Sequence, residues 1–129
     1  MNEKTENKLF EKYHKLFPEG RKVNPKHSLM CFGFECEDGW YWLIDKLCDR
    51  IQSYIDANNK KQVVVKQVKE KFGGLRFYCR NQDTLINGMI WFAESLSYSI
   101  CEECGELGGE LNEKGHTQTL CLKCRGKRK

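Results

Sequence analysis

The sequence predicts an α+β protein, with helices packed on a small antiparallel sheet and a zinc-ribbon-like module at the C-terminus. Three observations carry that prediction. Apolar residues recur with helical spacing in three segments, the period drops to two between the second and the third, and two Cys-x-x-Cys pairs close the 129-residue chain. Residues 1–99 read as the α+β unit and residues 100–129 as the cysteine module with a basic tail.

The first helix is expected over about 3–17, where Leu9, Phe10, Tyr13, Leu16 and Phe17 share a face and Pro18 and Gly20 stop it. An irregular segment from Arg21 to Glu37 follows. The second helix, about 39–57, has the strongest pattern in the chain: Trp40, Leu43, Ile44, Leu47, Cys48, Ile51, Tyr54 and Ile55 keep the i, i+3, i+4, i+7 rule. Asp38 is its expected N-cap, and Asn58-Asn59 closes it.

Strands follow over about 62–69 and 75–80, joined through Gly73 and Gly74, which accept positive φ without a Cβ penalty. The third helix spans about 83–97, with Leu85, Ile86, Met89, Ile90, Ala93 and Leu96 on its apolar side. Gly88 weakens that helix by about 1 kcal/mol relative to alanine and suggests close packing.

No apolar run approaches the ~20 residues that span a bilayer, and the polar start MNEKTENKLF has no signal-peptide core. A reducing cytoplasm is therefore expected, where eight cysteines favour metal over disulfides. Cys101-x-x-Cys104 and Cys121-x-x-Cys124 stand sixteen residues apart, the spacing of a structural Zn²⁺ site with one ion per chain and no position open for water. Iron in a rubredoxin-like site and two bridging disulfides are the alternatives. His116 reads as a solvated loop histidine.

Cys31, Cys36, Cys48 and Cys79 read as small buried hydrophobes, with a second metal site at His27, Cys31 and Cys36 as the rival. Within the module, Glu102, Glu103, Glu106, Glu110 and Glu113 face Lys114 alone, so only the tail Arg125–Lys129 suits a phosphate backbone.

The net charge of +4 is concentrated. Residues 61–80 hold six basic groups (Lys61, Lys66, Lys69, Lys71, Arg76, Arg80) against Glu70, a local +5. In Leu75–Arg80, alternation sends Leu75, Phe77 and Cys79 to the core and Arg76, Tyr78 and Arg80 to the other face, where Lys66 joins them. Guanidinium groups bind phosphate, an aromatic face stacks on a base, and a glycine pair lets backbone N–H groups approach an anion. Lys66, Lys71, Gly73, Gly74, Arg76, Tyr78 and Arg80 are thus the candidate site for an anionic nucleotide-like ligand. The plain alternative is a solvated sheet face with ordinary turn chemistry. Glu35, Glu37 and Asp38 suit either Mg²⁺-dependent phosphodiester chemistry or the positive end of the following helix.

FGFECEDGWYWLIDKLC, VKEKFGGLRFY, AESLSYSICEECG and TLCLKC together resemble an uncharacterised family of small phage and prophage proteins, over about Cys31 to Cys124. The resemblance implies a bacterial host cytoplasm and an accessory role in infection, such as blocking host defence. The expectation is a non-enzymatic binder of an anionic nucleotide-like ligand, in concrete form a sponge for a defence signal. A nucleic-acid or host-protein binding module and a phosphodiesterase are the alternatives. Two strands with open edges also predict a homo-oligomer, with the ligand site shared across its interface.

Overall fold

A computed structural model of the chain describes residues 1–113 and 115–127. Lys114 and the tail residues Arg128 and Lys129 lie outside the described residues. The elements run α1 (Glu3–Lys12), β1 (Phe34–Glu35), α2 (Tyr41–Asn58), β2 (Val64–Lys71), β3 (Gly74–Arg80), α3 (Thr84–Ser97), β4 (Glu110–Asn112), β5 (Gln118–Leu120) and α4 (Leu122–Gly126). Short 3₁₀ turns occupy Gly20–Lys22, Leu29–Phe32 and Asp38–Trp40. The α+β class holds, with one correction to the sheet: β1 adds a third strand parallel to β2, so the sheet is mixed, in the order β1-β2-β3.

The first helix is shorter than its apolar spacing suggests. It ends at Lys12, because Tyr13 leaves the helical region (φ −118°, ψ 47°) and Leu16 and Phe17 turn back onto the carbonyl of Tyr13. The five apolar residues stay buried all the same, and Phe10, Phe17 and Phe34 meet with ring centroids 5.1–5.4 Å apart. The Tyr13 hydroxyl donates to the Asp45 carboxylate at 2.6 Å, and Lys12 donates to the same oxygen at 2.9 Å.

Asp38 does not cap α2. Its carboxylate accepts from the backbone and side-chain amides of Asn2 at 3.0 and 2.6 Å, and α2 starts without a side-chain cap. Asn59 closes that helix in the left-handed conformation, as the sequence suggests (φ 49°). Asp83 caps α3 by accepting from the amide of Ile86 at 2.9 Å.

β2 changes faces along its length. A bulge at Lys66 lies between the pairs Val65↔Cys79 and Gln67↔Tyr78. Val63 and Val65 therefore enter the core before it, and Val68 after it. Together with Phe34, Leu75 and Phe77 they pack under Leu43, Ile44, Leu47 and Ile51 of α2 and Ile86, Ile90 and Ala93 of α3.

The β3 edge expected to be open is partly covered. Ser97 Oγ accepts from the amide of Leu75 at 2.9 Å, and the Glu94 carboxylate accepts from that of Phe77 at 2.9 Å. The argument from open edges to a homo-oligomer is weakened at β3. No helix among the described residues is long and apolar enough to cross a membrane.

Candidate metal centre and basic groove

The four predicted ligands converge. The Sγ atoms of Cys101, Cys104, Cys121 and Cys124 all lie within 4.8 Å of one another, and those of Cys104 and Cys121 are 3.7 Å apart. A tetrahedron with Zn–S bonds of ~2.3 Å has edges of roughly 3.8 Å, so the donor set fits such an ion in size and softness. The first pair sits on a tight turn in which the Gly105 amide donates to the Cys101 carbonyl and Gly105 takes φ 84°. The second pair opens α4. There the Cys124 amide donates to Cys121 Sγ at 3.5 Å and lowers that thiol, while burial pushes the Cys124 thiol up.

The module is built into the fold rather than appended to it. The amide of Gly39 donates to the Glu102 carbonyl at 2.7 Å, and the Trp40 indole donates to the Ile100 carbonyl at 2.9 Å. Glu102, read as part of an acidic surface, is buried; its carboxylate accepts from the Glu37 amide at 3.0 Å, and burial pushes its pKa up. His116 is exposed but paired, 2.8 Å from the Glu70 carboxylate. Arg125 of the basic tail reaches Glu110 at 3.3 Å.

The glycine cradle needs correction. Positive φ falls on Phe72 (54°) and Gly73 (88°), the type I′ pattern of a two-residue hairpin, and Gly74 opens β3 instead. The Gly73 amide already donates to the Glu70 carboxylate at 2.7 Å, and its carbonyl accepts from Thr119 Oγ1 at 2.7 Å. A Cβ on Gly74 would fall 2.3 Å from the Tyr98 phenol. Both glycines therefore serve packing of the hairpin tip, Gly73 against the metal module and Gly74 against Tyr98. Lys71 stays at that tip, over the Phe72 ring. Arg76 donates to the Leu75 carbonyl at 2.9 Å and to the Tyr98 hydroxyl at 3.2 Å, and does not line the groove described next.

The opposite end of the hairpin does bring predicted residues together. Lys66, Tyr78 and Arg80 line a shallow groove of about 400 Å³, closed on its other side by Pro25–Leu29. Lys26 and His27 belong to it, and no carboxylate lines it. Burial first, and the charge of Arg80 second, hold the Lys66 ammonium below its usual value. Lys66 donates to the His27 carbonyl at 2.8 Å, and the Ser28 hydroxyl ties the segment to the bulge through the Lys66 carbonyl at 3.1 Å. The 25–29 segment has no periodicity, so its part in the groove was not readable; Pro25 beside two basic residues was the only signal.

Two rival constellations do not assemble. Glu35 accepts from Gln67 at 3.1 Å, Glu37 from Gln118 at 3.0 Å and Asp38 from Asn2. Among the described residues only the four cysteines form a group of three or more metal-type ligands, so His27, Cys31 and Cys36 do not. Cys36 and Cys48 are buried and Cys79 is half-buried, with burial raising all three thiols, Cys79 to about 11. Comparison of the chain with family models, curated proteins and solved structures gives no match.

Proposed function

We propose that the protein is a non-catalytic binder of an anionic, nucleotide-like ligand, held in the groove between residues 25–29 and the β2–β3 sheet. One observation carries this reading: Lys66 and Arg80 share a groove beside Tyr78, with no carboxylate to neutralise them. A lysine already depressed by burial and by a neighbouring guanidinium gains most from a phosphate placed between the two. The exposed ring of Tyr78 supplies a stacking face for a base. The four cysteines hold one Zn²⁺ in a structural role, which fixes the hairpin tip through Thr119 and Gly73.

The likeness of the motifs to those of small phage and prophage proteins supports a bacterial cytoplasmic setting. In that setting a binder without catalytic machinery acts as a sponge for a nucleotide defence signal.

The test is mass spectrometry of small molecules released on denaturing the zinc-loaded protein, followed by calorimetric titration with the compound found. An intact nucleotide, bound at least about tenfold more weakly by Arg80→Ala, is the expected result. Reaction products in place of intact ligand, or unchanged affinity in both Arg80→Ala and Lys66→Ala, would sink the proposal.

A further inference from the structure

We infer that the solvent face of α3 is a two-fold interface on which a second copy of this chain docks. The face is apolar to an unusual degree. Leu85 is 53 % exposed, Trp91 71 % and Phe92 61 %, and Trp42 of α2, 61 % exposed, extends the patch across the groove it shares with Phe92. α3 itself brings no outward charge to it, while Lys46 and Arg50 of α2 line the far wall of the groove. The single ionisable residue of α3 is Glu94, whose carboxylate is turned to the amide of Phe77. In a chain with 31 % charged residues, a 14-residue helix with no outward charge is a departure that solvation does not explain.

Two features point to a copy of the same chain as the occupant. A two-fold interface sets each surface on itself, so any charge near the axis meets its own like; the α3 surface around Gly88 carries none, which suits an axis placed there with Lys46 and Arg50 off to the side. The face is also self-complementary in shape. At 100° per residue, Leu85, Trp91 and Phe92 all lie within about 60° of Gly88 on the helix surface. Gly88 is a flat spot: a Cβ built there meets nothing within 4 Å, so the close packing it suggests is not made within one chain. Trp91 and Phe92 stand one turn beyond it. Antiparallel pairing of two α3 helices places the aromatic shoulders of each copy over Gly88 of the other.

The area suffices. Taking roughly 150–250 Å² for a whole aromatic side chain, Leu85, Trp91, Phe92 and Trp42 expose on the order of 500 Å² per copy. Pairing removes about 1,000 Å² before their neighbours are counted, the threshold for a specific interface. A patch of about 500 Å² is toward the upper end of the largest patch that a monomer carries, and patches of that size are often functional.

Sedimentation velocity on the full zinc-loaded chain, from micromolar to sub-millimolar concentration, tests the inference. A species of twice the 15.2 kDa chain mass is expected. Gly88→Glu leaves the monomer folded, since the site is open and the residue is not in the left-handed region, and circular dichroism checks this. It should weaken dimerisation by at least about thirtyfold, as should Trp91→Ser. A mass of 15.2 kDa at every concentration overturns the proposal and leaves the face to a partner of different sequence. A dimer untouched by both substitutions overturns it equally.

Discussion

Gly39 donates its amide to the carbonyl oxygen of Glu102 at 2.7 Å, one residue beyond Cys101 of the four-cysteine cluster. The turn that opens α2 and the turn that carries the first cysteine pair are thus backbone to backbone. No side chain fits between them. A Cβ on Gly39 would fall 2.3 Å from the Cys101 carbonyl oxygen and 2.4 Å from that of Glu102.

Gly39→Ala should therefore destabilise the protein by about 3 kcal/mol, the upper part of the range for overpacking, because backbone cannot yield as a side-chain tip can. Urea denaturation with zinc present measures it. A loss below about 0.5 kcal/mol, the scale of a surface change, would contradict the close contact.

Metal removal should be felt beyond the module. Gly39, Trp40 and Gly73 all bond to it, so chelation releases the start of α2 and the hairpin tip together. A structural zinc contributes ~10 kcal/mol or more of apparent binding energy. Elemental analysis should give one ion per chain, and Cys101→Ser should lose it. At about 4 °C per kcal/mol for a chain of this size, the melting temperature should fall by about 40 °C. An unchanged melting curve after complete metal loss would count against the structural role.

Arg76 and Arg80 lie four residues apart on one face of β3 and should behave differently. Arg80 lines the basic groove, whereas Arg76 is spent on Leu75 and Tyr98. Arg76→Ala should cost about 1 kcal/mol of stability and leave ligand affinity intact, while Arg80→Ala does the reverse. Paired melting and titration experiments separate the two. Equal affinity losses would place the ligand along the whole strand.

Acid should weaken the protein through Asp45. Burial opposes ionisation there, but hydrogen bonds from Tyr13 and Lys12 prevail and hold its carboxyl below the usual value. A folded pKa below the unfolded one (~3.9) means stability present above that value and lost as pH falls through the folded pKa. In denaturation series from pH 5 downward, Asp45→Asn should flatten part of the acid limb. A limb of unchanged slope would assign acid sensitivity to other carboxylates.

Much of this architecture was legible in the residues. Long periodic stretches announced α2, α3 and the hairpin, because burial of one face needs no information from elsewhere in the chain. The cysteine spacing announced the metal centre for a similar reason, since tetrahedral ligation fixes each pair locally. β1 was not legible: Phe34 and Glu35 show no period, and only the parallel pairing with Val68 and Lys69 makes them a strand. The end of α1 was hidden because the turn over Tyr13–Phe17 buries the residues a longer helix would bury. The groove was half legible. Alternation put Tyr78 and Arg80 on one face, but the bulge at Lys66 and the arrival of Lys26 are tertiary events.

Partial closure of β3 by Ser97 and Glu94 limits how this molecule can meet others. A sheet with a free edge can accept a stranger's backbone as its next strand, which is how peptides are captured by augmentation and how fibrils elongate. Here one border has the amides of Leu75 and Phe77 already bonded to side chains, and the other ends in a strand two residues long, too short to template a ladder. Recognition must therefore read surface shape and charge rather than main-chain pattern.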